Sequence, residues 1–411
     1  MFQGLSLDQA PPFPAPLRFF LSAPLFAVMA AMVVFFGDSS FVNIYSPKMI
    51  ATLHLFTLGF MSMVMIGAMQ QMLPVLVGVT FPKPLLFAKI IHTALVIGTL
   101  LLSAGLYFGI DSFLLVSSLF LVISIGLFIA VTVYKIFLSK YSNETIFSMR
   151  FSLVSFLIAL IGAVYMLLSL GLSKVGENIF YVIKFHALWA VFGWSGLLII
   201  GVAFQVVPMF YVTPDYNKRL KKYLPTVIFL SLIIVSIEIF FDIKATFILL
   251  SLFYALFGFF TLYLMEKRKR KLVDTTINYW RFSSLMLITG SVLFIVYTFF
   301  PNDTFLWITG VIFGYGFIIS LINGMLYKIV PFLTWFHVSS KGFFDIPTMR
   351  EMIPDKNAKI QLYFHIASVI VLTLLPFFDL LKIAAFLIAV SNILLFLNML
   401  KASRLFFKYE V

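Results

Sequence analysis

Residues 49–78 read MIATLHLFTLGFMSMVMIGAMQQMLPVLVG, with no Asp, Glu, Lys or Arg among them. A helix needs about 20 largely apolar residues to cross a bilayer, and this run exceeds that. The rest of the chain is built alike. Of 411 residues, 62% are apolar and only 11% are charged, and the mean hydropathy is +1.08. A soluble domain runs nearer half apolar and a quarter charged. A chain of this size has no core large enough to hide the surplus. The composition defines a polytopic membrane protein and excludes soluble enzymes and nucleic-acid binders. The absence of Cys removes disulfides, thiolate metal sites and cysteine nucleophiles.

Twelve apolar runs emerge between charged or Pro/Gly-rich breaks, over 17–36, 49–78, 85–108, 112–138, 148–171, 180–211, 222–241, 243–265, 280–300, 305–335, 359–378 and 381–401. The break between the seventh and eighth is thin (Asp242, Ile243, Lys244). Threading the chain through these runs places 24 of the 29 Lys and Arg on one side and 5 on the other. Cytoplasmic loops hold such an excess, so both termini are expected in the cytoplasm. The formal charge of +13 then reports orientation and not an acidic ligand. The basic runs NKRLKK (217–222) and EKRKRK (266–271) read as solvated loops that meet anionic headgroups of the bilayer. Residues 1–16 form a short uncleaved arm, since no basic segment precedes the first apolar run. Residues 336–358 form the longest cytoplasmic loop of a single membrane domain.

The second, sixth and tenth runs are unusually long, and they end alike. Gly67, Gln71 and Pro74 stand where Gly201, Gln205 and Pro208 stand, and again Gly324, Lys328 and Pro331, each as Gly-x3-(Gln/Lys)-x2-Pro. The copies lie four spans apart and run in the same direction. The repeat is therefore parallel, about an axis along the membrane normal. Glycine admits a neighbouring helix, the polar head enters the protein interior, and proline ends or kinks the helix. The expected fold is all-α, with twelve spans in three pseudo-threefold four-helix arcs. If the copies are symmetric, Gln71, Gln205 and Lys328 meet near the axis; Lys328 otherwise snorkels to the cytoplasmic interface.

This layout resembles the haem-copper oxidase subunit I superfamily, and His54 to Pro74 is similar to the second transmembrane helix of nitric oxide reductase large subunits. The resemblance implies that His54 ligates a low-spin haem and that His186, in the matching half of the sixth span, lies where the family keeps a copper ligand. The departures are large. The seventh run has no adjacent histidines for copper, and the tenth has no haem ligands. Ala190 stands where the family has Tyr or Glu, and the eighth run lacks the proton-channel lysine. These gaps speak against copper and against a conventional proton-pumping oxidase. The resemblance implies a haem-binding protein of a bacterial or archaeal inner membrane, in respiratory electron transfer or nitric oxide/oxygen handling, with a haem-delivery or redox protein as partner.

The five histidines divide by side. His54 and His186 share depth near the starts of their spans, and His92 and His365 share the other side. Either pair suits the two axial positions of a b-type haem, with His54 and His186 the leading pair; each His otherwise serves as a buried hydrogen-bonding group. His337 sits among interfacial aromatics. Met61, Met65, Met69 and Met72 form a helical stripe, with Met63 off it, that reads as packing. Gly310, Gly314 and Gly316 read as close helix contacts. Gly193 and Gly196, beside Trp189 and Trp194, read as close contacts or as room for a flat macrocycle. Glu238 near Asp242 reads as interfacial. Two further functions stay open on the same scaffold: a haem-free transporter or channel working along the Gln71–Gln205–Lys328 axis, and an assembly subunit of a respiratory complex.

Overall fold

The computed structural model describes residues 9–78, 80–138, 143–343 and 345–409. The described residues form helices and loops with no strand among them. Twelve helices are long and apolar enough to cross a membrane, and we number them as spans. They are span 1 (Pro14–Phe35), span 2 (Pro47–Val75), span 3 (Pro84–Phe108), span 4 (Asp111–Leu138), span 5 (Glu144–Gly171) and span 6 (Ile179–Tyr211). They continue as span 7 (Lys218–Phe241), span 8 (Ala245–Glu266), span 9 (Thr275–Phe299), span 10 (Asp303–Ser339), span 11 (Asp355–Leu374) and span 12 (Leu381–Lys408). Each coincides with a run read from the sequence. The protein is an integral membrane protein, and exposed side chains such as Phe35, Phe108, Phe137 and Phe386 form the coat that lipid tails solvate.

Local chemistry sets the helix ends. Spans 1, 2 and 3 open on Pro14, Pro47 and Pro84, whose missing N–H falls where a helix has no partner for it. Asn143, Asp274 and Asn302 cap spans 5, 9 and 10 by accepting from backbone N–H groups. The thin break between spans 7 and 8 is real, and Glu238 bridges it. Its carboxylate accepts from the Thr246 N–H (3.1 Å) and hydroxyl (2.8 Å) at the start of span 8. The loop expected over 336–358 is shorter than read. Span 10 runs on to Ser339, a turn of helix covers Met349–Met352, and span 11 begins at Asp355.

Neighbouring spans pack in chain order, and span 1 lies along span 12, which closes the bundle. The repeat has a structural counterpart. Gly67 packs on Phe19 of span 1, Gly201 on Ser148 of span 5, and Gly324 on Tyr279 of span 9. A Cβ at these glycines would lie 2.8, 2.6 and 2.5 Å from the Cβ of those side chains. Of the two effects expected of the prolines, ending or kinking the helix, they do not produce the first. Spans 2, 6 and 10 continue beyond Pro74, Pro208 and Pro331, because neighbouring groups in a bundle re-satisfy the freed carbonyls. The same three spans each contain a π-helical stretch, at Leu55–Ser62, Trp189–Gly196 and Val311–Ile319, and span 4 has a shorter one at Val122–Gly126. Such stretches are rare and gather at functional sites.

Candidate functional site: a histidine pair

The π stretches of spans 2 and 6 lie just past His54 and His186. The two imidazoles come together from spans 2 and 6, with ring centres 6.3 Å apart and planes inclined by 20°. His54 Nδ1–H donates to the Ile50 carbonyl (2.8 Å), and His186 Nδ1–H donates to the Ala159 carbonyl of span 5 (2.9 Å). A carbonyl only accepts, so both rings are held in the tautomer that leaves the Nε2 lone pair free. Metal-bound histidines are commonly oriented this way through their other nitrogen. With a metal–imidazole bond of about 2 Å and each ring centre about 1 Å behind its nitrogen, two rings facing across one ion have centres about 6 Å apart. The observed separation fits. Both residues are half-buried.

The third repeat helix has two open positions at its π stretch. A Cβ built at Gly310 or Gly314 meets nothing within 4 Å. The close contact expected there is found only at Gly316, which packs on Met286. Gly193 and Gly196 are the reverse case. Ser155 and Tyr254 fill the space beside them, and the Tyr254 hydroxyl donates to the Phe192 carbonyl, so no flat group fits there.

His92 and His365 do not meet. His92 is hydrogen-bonded to Ser22 of span 1 (2.8 Å) and takes the edge of Phe19. His365 is hydrogen-bonded to Ser320 of span 10 (2.7 Å) under Tyr315. His337 stacks on Phe13 (5.6 Å). All five methionines of span 2 singled out above point inward. Met61, Met63, Met65 and Met69 are buried, and Met72 faces a central cavity.

That cavity, of about 90 Å³, lies between spans 2, 6 and 10. Gln71 and Gln205 line it with Met72, Met209, Met325 and Phe332. The Gln71 Oε1 is buried without a hydrogen-bond partner. Lys328 does not join them. It turns outward to Asp274 at the start of span 9 (2.5 Å) and lies over the Tyr211 ring. Low-dielectric surroundings make a paired lysine far cheaper than a free one on the axis. Burial pushes the Asp274 carboxyl up, but the Lys328 charge and hydrogen bonds from Lys328 and Thr276 outweigh it and hold the group below its ordinary value.

One regular feature escaped the sequence reading. Eight positions before each repeat glycine stands another: Gly59 before Gly67, Gly193 before Gly201, Gly316 before Gly324. Each is followed by a buried aromatic ring, Phe60, Trp194 or Phe317. Each lies in a π stretch and packs on span 1, 5 or 9. The doublet Gly-aromatic at that fixed offset is the signal that would have revealed it. Together, fold and site define a twelve-span helical membrane protein in which spans 2 and 6 bring two histidines close together. Compared with models of known protein families and with curated proteins, the chain matches none.

Proposed function

We propose that the protein binds a b-type haem between His54 and His186 and works in respiratory electron transfer or in nitric oxide/oxygen handling, on a scaffold of three four-helix arcs like that of the haem-copper oxidases. The observation that carries the reading is the pair itself: two near-parallel imidazoles, 6.3 Å apart, each with Nδ1 committed to a carbonyl. Two imidazoles are the number that a six-coordinate haem takes. When bound, the haem would supply one-electron chemistry. The chain's own part is to fix ring orientation through the Ile50 and Ala159 carbonyls and to leave space at Gly310 and Gly314. The excess of basic residues in the loops on the side of the termini supports a cytoplasmic location for that side.

The test is spectroscopic. Purified full-length protein should show a Soret band and a pyridine haemochrome, and His54→Ala and His186→Ala should each lose the haem while remaining folded. Protein without haem under haem-replete expression sinks the reading. It would favour the second one, a haem-free transporter using the axial cavity, which the unpaired Gln71 Oε1 supports.

A further inference from the structure

Spans 9 to 12 enclose a column of buried polar side chains that runs from one end of the bundle toward the other. At the basic end, Asn398 Nδ2 donates to the Tyr327 hydroxyl (3.0 Å). Tyr327 stacks on Tyr279, whose hydroxyl donates to Gln361 Oε1, and Gln361 Nε2 donates to Ser391 (2.9 Å). One turn along span 11 stands His365, hydrogen-bonded to Ser320 (2.7 Å). Beyond it the Ser368 hydroxyl donates to the Tyr315 hydroxyl (3.3 Å). Tyr315 adjoins the open space at Gly314, and its ring meets Phe56, two residues past His54.

Four atoms in this column have no partner: both amide atoms of Asn323, His365 Nδ1 and Asn392 Oδ1. Asn323 and His365 are fully buried, and Asn392 is 1% exposed. Asn323 lies one turn from both Ser320 and Tyr327, on the face of span 10 that those residues turn to the column. A buried amide left unpaired is costly, and hydrocarbon offers no relief. Polar groups at membrane depth mark water and proton pathways, and buried water settles where two to four polar atoms converge.

We propose that the column holds ordered water and carries protons from the basic face to the level of the histidine pair. The delivery end rests on the haem reading, and the hydrated column does not. A proton taken from water at the Asn398–Tyr327 end is matched by one released at the Tyr315 end, and no electron moves along the column. The amides hold water in line. His365 is the one group in the column that can carry the proton as a cation, accepting at Nδ1 from water and releasing from Nε2 toward Ser320. The need is electrostatic: an electron placed in a low-dielectric interior is stabilised by a proton arriving nearby.

Asn323→Leu tests this cleanly, because the amide it removes makes no hydrogen bond to the protein. Radiolytic footprinting in isotopically labelled water reads hydration residue by residue. In the unaltered protein, Tyr315 and His365 should be labelled within about tenfold of exposed Tyr363, and the variant should lose that labelling about tenfold with Tyr363 unchanged. Unlabelled Tyr315 and His365 in the unaltered protein overturn the hydrated column. In haem-loaded protein, proton uptake after flash reduction, read with a pH dye, should slow at least about tenfold in Asn323→Leu with the haem spectrum unchanged. Equal uptake rates overturn the carriage of protons. Protein that purifies without haem overturns the delivery end, and the footprint still decides the column.

Discussion

Asp274 joins two tasks at one carboxylate. It caps span 9 by accepting from the Thr276 N–H (3.0 Å), and it holds the Lys328 ammonium (2.5 Å). Asn keeps the cap and loses the charge, whereas Ala loses both. Asp274→Asn should therefore lower stability by about 2 kcal/mol through the stranded lysine, and Asp274→Ala by about 1 kcal/mol more. Both are measurable by thermal unfolding in detergent. The folded carboxyl lies below its ordinary value. Its contribution is thus present above the unfolded carboxylate's range and disappears as pH falls through the lower folded value. Acid should destabilise the native protein across that window, and Asp274→Asn should flatten this dependence. The lysine was expected on the axis from symmetry. Its real partner stands 54 residues earlier in the chain, on a different helix, and no local pattern reports such a pairing. The histidines were more legible. Equal depth could be counted from span boundaries, but the 6.3 Å approach depends on how spans 2 and 6 rotate, which their own sequences do not state.

Glycines distinguish filled from open positions along the repeat helices. Gly67, Gly201 and Gly324 each face a side chain of spans 1, 5 or 9 at 2.8 Å or less from an added Cβ. Alanine at any of them should cost about 1–3 kcal/mol of overpacking. Gly314→Ala meets nothing, replaces a poor helix former, and should leave stability unchanged or raise it by up to about 1 kcal/mol. A larger Gly314→Leu should keep the fold and reduce haem content. Unfolding transitions and haem-to-protein ratios on these five variants check both halves. The spacing Gly-x3-(Gln/Lys)-x2-Pro was readable because one fixed offset recurs three times. The π stretches were not, since a short run of wider turns leaves no mark on apolar periodicity in a helix that is apolar all round. Gly310 and Gly314 look the same in sequence as Gly193 and Gly196, and only the neighbours show that one pair faces space and the other Ser155 and Tyr254.

At the scale of the molecule, the twelve spans were the most legible feature, because hydrocarbon thickness dictates a length that the chain must repeat. The basic surplus on one side predicts an orientation as well. Reporter fusions after Leu138 and Glu266 should be active as cytoplasmic fusions, and those after Gly171 and Phe299 as exported ones. The reverse pattern would refute the assignment. A last consequence follows from the way span 1 lies against span 12. Phe13 and Phe406 meet edge to face, with ring centres 5.1 Å apart, so the helix that opens the bundle and the helix that closes it begin and finish side by side. The bundle has no seam that depends on which span is made first. A circular permutant, joined by a short linker across this contact and reopened between spans 8 and 9, should insert with the same topology and retain the same melting behaviour.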